Sequence, residues 1–180
     1  VISTPIIDHP EYLTHCHWMS KAIALAQAAG EANEVPVGAV IIDSNHNVVA
    51  TAENRRERDK DPTAHAEILA LRQAGQAIQN WHLNNCTLYV TLEPCPMCAG
   101  AIIQARLKLL VYGADDPKTG AIRTVANIPD SACSYHHVTV FGGILASVCR
   151  TQLQSWFAAQ RQLKQERWGD EAIKWGSRKL

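Results

Sequence analysis

Cys95 and Cys98 stand three positions apart in Glu93-Pro94-Cys95-Pro96-Met97-Cys98-Ala99-Gly100, where an apolar helical run opens after a strand-like stretch. That spacing can present both sulfurs to one metal ion, and such a pair is half of a zinc site. A catalytic zinc keeps one position for water and needs a third protein ligand. His65 supplies it, in Asp61-Pro62-Thr63-Ala64-His65-Ala66-Glu67, where a proline and a threonine introduce the periodic run Ile68, Leu69, Leu71. Two helix starts then face one point, and the partial positive charge at a helix start favours the metal-binding thiolate. One dication, two thiolates and a neutral imidazole are neutral together, and a site of this kind still acidifies water toward a pKa of about 7. Glu67, two residues beyond His65, can take a proton from that water and return it to a leaving group.

Each residue alone has a plainer reading. A single C-x-x-C can be a redox pair or half a structural zinc knuckle. A histidine at a helix start is commonly a cap or a packed ring, and Glu67 could simply answer the helix dipole. Together, in this order and context, the plainer readings lose ground.

The elements that must position these residues follow from periodicity. Apolar residues at helical spacing predict a helix over about 11–29, ending near Gly30. Residues 35–42 and 48–52 read as strands joined by a turn at Ser44-Asn45-His46-Asn47, an antiparallel hairpin. Residues 54–60 are a charged loop. Its default reading is solvated surface, although Asn54 could meet a substrate's edge with its amide. A helix over about 63–78, a strand over 86–91, a helix over about 94–105 and a strand over 107–112 come next. Pro94 or Pro96 suits the first turn of the second of these helices. Strand, helix, strand implies a parallel pair, hence an α/β layered fold with the metal at the strands' C-terminal edge. Residues 138–141 are expected as a short strand, and about 144–165 as a long final helix.

The 180 residues suit one domain over 1–165, followed by a charged, flexible tail over 166–180. The start, Val1 to Pro10, lacks the basic and apolar pattern of an export signal, and no run is long enough to span a membrane. With six cysteines and no export signal visible, a reducing, cytoplasmic compartment is expected, with Cys16, Cys86, Cys133 and Cys149 as packed thiols. The adjacent histidines of His15-Cys16-His17 and His136-His137 carry little weight as metal sites. Seventeen basic residues balance seventeen acidic ones, so any contact with nucleic acid must be a local patch.

His65-Ala66-Glu67 with Pro94-Cys95-x-x-Cys98 matches the zinc deaminase signature, and the longer strings narrow the resemblance. Glu34-Val35-Pro36-Val37-Gly38-Ala39-Val40, Asp61 to Ile68, Thr87 to Cys95, and Gly113-Ala114 with Lys118-Thr119-Gly120 resemble the bacterial tRNA-specific adenosine deaminases, over about 17–165. The resemblance implies a three-layer α/β/α cytidine-deaminase-like fold with a central mixed sheet of about five strands. It implies hydrolytic conversion of the wobble adenosine of a tRNA anticodon loop to inosine, with one Zn2+ per subunit held by His65, Cys95 and Cys98. Glu67 would move the proton, Asn54 would meet the flipped base, and Val37 and the backbone near Ala66 would help enclose it. The turn containing Asp116 and Lys118 would touch neighbouring nucleotides, and a homodimer would bind each tRNA loop across both subunits. Ala158 and Gln160 stand where some relatives carry arginines, leaving Arg161, Lys164 and Arg167, and residues 122–136 also depart from the family form. Two other readings share these residues: a deaminase of a free base such as guanine or cytosine, and a zinc-stabilised RNA-binding module without turnover.

Overall fold

Alternation along the central strands sorts their side chains into two cores. In the computed structural model, which describes residues 10–176 and side chains through Glu166, five strands pair in the order β2-β1-β3-β4-β5. These are β1 (Gly38–Ile42), β2 (Val48–Glu53), β3 (Thr87–Leu92), β4 (Leu109–Ala114) and β5 (Thr139–Gly142). β1 is antiparallel to both β2 and β3, whereas β3, β4 and β5 run parallel. The sheet is therefore mixed, as expected.

Ala39 and Ile41 of β1, Leu88 and Val90 of β3, and Leu110 and Tyr112 of β4 form one core with Ala70, Leu71, Ala74 and Ile102. Val40, Ile42, Tyr89 and Val111 point the other way, onto Trp18, Met19, Ala22 and Cys149. This is the period of two that a sheet buried on both faces requires. The first face carries α3 (Ala66–Ala77) and α4 (Pro96–Gln104), and the second carries α1 (Tyr12–Glu31) and α5 (Ala146–Gly176). A four-residue helix, α2 (Arg56–Asp59), lies in the stretch read from sequence as a charged loop. Gly38 lets α1 approach β1 closely, since a Cβ there would run into the backbone at Ala22 and Ala26.

Several boundaries differ from the expected ones for local reasons. β1 begins at Gly38 rather than Val35, because Pro36 has no amide hydrogen to give a ladder. The hairpin turn closes on the Asp43 carboxylate, which accepts from the amides of Asn45 and Asn47, both at 2.8 Å. α3 begins three residues later than expected, because Asp61 accepts from the amide and hydroxyl of Thr63 and holds that segment in a turn. The final helix runs past residue 165 to Gly176, into the stretch read as tail. Residues 1–9, on which the reading about an export signal rests, and residues 177–180 lie outside the described part.

Two buried carboxylates fasten the connections around the C-terminal end of β3 and the end of β2. Glu34 has no exposed surface and accepts from the amides of Glu57 at 3.1 Å and Arg58 at 2.7 Å. Glu93 is 1% exposed and gathers the loop after β4. It accepts from the amides of Asp116 at 3.0 Å, Ile122 at 3.1 Å, Arg123 at 2.8 Å and Thr124 at 3.0 Å, and from the Thr124 hydroxyl. A Cβ on Gly120 would meet the same carboxylate, so the loop can close over it only with glycine there.

Burial pushes the Glu93 carboxyl up, but the hydrogen bonds from Thr124, Arg123 and Asp116 outweigh it and hold the group below its ordinary range. A depressed folded-state pKa gives stability that is full above the unfolded value, about 4.3, and is lost as pH falls through the folded value. Glu93→Gln should therefore lower the unfolding free energy at pH 7 by about 2 kcal/mol. In denaturant titrations the gap to wild type should narrow as pH falls below about 4.3. A gap that is the same at pH 3 and pH 7 would show that the charge is not what holds the loop.

Candidate functional site

His65 and Cys95 occupy equivalent places, each the residue just before the first turn of its helix. Both have extended backbones, with φ −74° and ψ 150° at His65 and φ −71° and ψ 172° at Cys95, and neither caps its helix with its side chain. The imidazole and the thiol are turned toward each other, and the Cys95 sulfur also meets Cys98 in the first turn of α4. Cys98 follows in the first turn of α4, behind Pro96, whose missing amide hydrogen costs nothing there. His65 Nδ1 lies 3.7 Å from Cys95 Sγ and 3.5 Å from Cys98 Sγ. All three atoms fall within 4.8 Å of one another.

These distances test the metal reading directly. Zinc bonds of about 2.3 Å to sulfur and about 2.0 Å to nitrogen, at tetrahedral angles, put nitrogen and sulfur roughly 3.5 Å apart. The donor set and its spacing fit a tetrahedral site with one position left over. The protonation pattern points the same way. A hydrogen bond with Cys98 pulls Cys95 down to about 4, and the same contact pushes Cys98 up. Two sulfurs this close oppose each other's ionisation unless a cation lies between them. His65 is raised, first by its hydrogen bond with Cys95 and against burial.

Glu67 is 4% exposed and sits in the first turn of α3. Burial raises its pKa, while its own backbone amide and the positive character of His65 work against that rise. A carboxyl in this setting can hold a proton next to the ligand cluster and release it to a neighbour.

These groups meet in a cavity of about 110 Å3 lined by Val35, Val37, Asn54, Arg56, His65, Glu67, Leu92, Glu93, Cys95, Asp116 and Thr119. It is well below the roughly 300 Å3 at which drug-sized pockets begin, a size for one flat ring and not for a nucleotide. Among the residues anticipated from sequence, Val37, Asn54, His65, Glu67, Cys95 and Asp116 line this cavity, with Cys98 buried against His65. The Ala66 side chain is packed in the core, between the lining residues His65 and Glu67. Lys118 faces a separate cavity of about 190 Å3 with Gln154, Phe157 and Arg161. A larger groove of about 870 Å3 runs between α3 and α4, but its walls carry no cysteine, histidine or carboxylate. His65, Cys95 and the buried Glu67 lie at the small cavity instead.

Val35, Arg56, Leu92, Glu93 and Thr119 are wall residues that sequence reasoning did not single out. Glu34 is a further omission behind the wall. Its place in the Glu34 to Val40 string was the available signal, and nothing local in that string indicates that its carboxylate reaches Asn54.

The MafB19-like deaminase family matches residues 13–145 of the chain. The tRNA-specific adenosine deaminase of Haemophilus influenzae is 47% identical over 146 residues, which cover 81% of this chain and 84% of that protein. The tRNA-specific adenosine deaminase of Bacillus subtilis is 42% identical over 147 residues, 82% of this chain and 91% of that protein. A solved structure from biochemical and structural studies of A-to-I editing by tRNA:A34 deaminases at the wobble position of transfer RNA is 42% identical. It covers 76% of this chain and 99% of its own, with a TM-score of 0.74, and its sheet and flanking helices carry the cytidine-deaminase-like fold seen here. This chain is a deaminase, and it belongs to the tRNA-specific adenosine deaminases of the MafB19-like family.

Proposed function

We propose that this enzyme hydrolyses the amino group from the wobble adenosine of a tRNA anticodon loop, leaving inosine and ammonia, within a single catalytic domain over residues 1–165. The observation that carries the reading is the base-sized cavity lined by His65, Cys95 and the buried Glu67, with the third donor, Cys98, buried against His65. A zinc ion held by His65 Nδ1, Cys95 Sγ and Cys98 Sγ, one per subunit, would supply the Lewis acidity that makes water a nucleophile near neutral pH.

The chain's own residues do the rest. Glu67 accepts a proton from the attacking water as the new carbon–oxygen bond forms at the amino-bearing carbon. It passes that proton to the ring nitrogen beside that carbon, then carries the proton of the new hydroxyl to the leaving amino nitrogen as the carbon–nitrogen bond breaks and the carbonyl forms. Val37 and Leu92 give the cavity apolar walls, and Asn54 gives a polar contact for the base edge. A cavity of this size admits the base only after it has left its stack, which costs less in a single-stranded loop than in a duplex.

The purified, zinc-loaded protein is expected to form inosine in an anticodon stem-loop carrying a wobble adenosine, and to leave free adenine, guanine and cytosine unchanged. Turnover of a free base alone would keep the mechanism and overturn the substrate. Glu67→Ala should keep its zinc while turnover falls on the order of a thousandfold, and His65→Ala and Cys95→Ala should lose the metal. Turnover persisting in Glu67→Ala would remove it from the proton path, and full zinc content in either ligand variant would refute the ligand set.

The proposed enzyme is a cytoplasmic homodimer. All six cysteines are free, which suits a reducing compartment, and among the described residues no helix is long and apolar enough to cross a membrane. Ile68, Leu71, Ala101 and Ala105 line the groove between α3 and α4, with Trp81, 61% exposed, at its side. This is the surface we assign to the second copy, since it adjoins the two helices that carry the metal donors. Trp81→Glu should shift the protein toward monomer in sedimentation velocity. A wild-type chain that sediments as a monomer at micromolar concentration would overturn the dimer.

A further inference from the structure

Asn54 follows the last residue of β2 at the cavity wall, and its side-chain amide can point either way until something chooses. Glu34 chooses. Asn54 Nδ2 donates to Glu34 Oε2 at 3.3 Å, and the other hydrogen bonds to that carboxylate also come from N–H groups, the amides of Glu57 and Arg58. The Arg58 guanidinium adds a cation, its Nε 3.6 Å from Oε1. A carboxylate meeting only donors and a cation is an acceptor on both oxygens, so it binds the nitrogen end of Asn54 and repels the oxygen end. The amide is then held with Oδ1 away from Glu34, and that oxygen accepts no hydrogen bond among the described residues.

The rest of the surroundings prevent escape. The Asn54 backbone amide donates to Val37 O at 2.9 Å, and the next amide, Arg55, donates to Ala64 O at 3.0 Å beside His65. The Arg58 guanidinium donates to Asn54 O at 3.1 Å. Both Asn54 and Glu34 are buried, at 5% and 0% exposure, so water cannot easily substitute for the lost partner. Nothing in the ligand cluster or the proton path requires a carboxylate at position 34.

We propose that Glu34 is a positioning residue that sets substrate specificity by fixing the Asn54 amide, so that Oδ1 is presented to an N–H or O–H donor of the bound nucleoside. The inference rests on the proposed nucleoside substrate. It makes Glu34 a determinant of which hydrogen-bond pattern the cavity accepts, acting only through Asn54. A site built to satisfy a buried acceptor rejects ligands that lack the matching donor far more strongly than a shape mismatch would.

Exchanging the pair's chemistry tests this. Asn54→Asp sets two carboxylates side by side, and kcat/KM for the stem-loop should fall by on the order of a hundredfold. Adding Glu34→Gln gives the introduced carboxylate a donor while leaving an acceptor oxygen toward the cavity, and the double variant should recover on the order of tenfold or more. Zinc content and melting temperature, read on each variant, separate misfolding from misorientation. If Glu34 serves only to hold α2, Glu34→Gln will impose the same loss whether position 54 carries the amide or the acid, and a double variant no better than Asn54→Asp overturns the proposal.

A second measurement needs no substrate. In the 15N-labelled protein, the Asn54 side-chain amide, identified by its disappearance in Asn54→Ala, should show one slowly exchanging proton that exchanges freely in Glu34→Ala. Unchanged exchange overturns the proposal. Should wild type act on a free base instead of the stem-loop, the proposed function fails while the swap is still scored on that base. Should it act on neither, the amide exchange decides alone.

Discussion

Everything at this site depends on two helices whose preceding residues are kept extended. An N-cap residue normally spends its side chain on the helix's own free amides. His65 and Cys95 do not, and the extended backbone at each turns the side chain outward, toward the other helix. Because β3 and β4 are parallel and α4 crosses between them, the start of α4 has to lie at the C-terminal end of β3. The start of α3 is brought there by the hydrogen bond from the Arg55 amide to Ala64 O, which ties the end of β2 to the segment before His65. Donors thirty and thirty-three residues apart thus reach 3.5–3.7 Å of each other without a long loop.

That arrangement leaves the connections around the sheet's edge to be held in place, and two buried carboxylates do so from opposite sides. Burying a carboxylate is costly unless donors satisfy it. Glu34 is satisfied by two main-chain amides of α2 together with the Asn54 side-chain amide and the Arg58 guanidinium, and Glu93 by four main-chain amides of the loop after β4 and the Thr124 hydroxyl. The loops gain order from the charge, and the charge is tolerated because the loops surround it. This also explains how the cavity can keep well-defined walls while remaining only about 110 Å3. A loop held by apolar packing would need bulk where the cavity is.

What could be read in the sequence, and what could not, follows from the range of the interactions. The strands, the helices and the His65, Cys95 and Cys98 set are announced by period and spacing, and so is the acid at Glu67. The mixed sheet follows from a hairpin followed by a strand–helix–strand unit. Glu34 and Glu93 were invisible as anchors because main-chain amides have no sequence signature, and those they bind lie twenty or more residues away. The same limit explains Lys118. Its turn adjoins the cavity through Asp116 and Thr119, but Thr119 and Lys118 amides fold back on the Asp116 carboxylate and the lysine side chain is left facing α5. The short α2 was masked by its charge, since four polar residues carry no apolar period.

Under the proposed function, the division between cavity and surface has a consequence for recognition. A cavity that holds one base can discriminate among bases, but it cannot distinguish a tRNA from any other strand bearing adenosine. The chain's formal net charge is zero, so there is no overall field to gather a polyanion. Selection of the anticodon loop then has to come from groups next to the cavity that act at short range. We assign that to Lys118 and Arg161, which line one cavity with Phe157 at the junction of the Asp116 turn and α5, and the turn that carries Lys118 belongs to the loop Glu93 gathers. The buried carboxylate behind the loop therefore bears on both levels of selection, since it fixes one wall of the cavity and the position of the cation beside it.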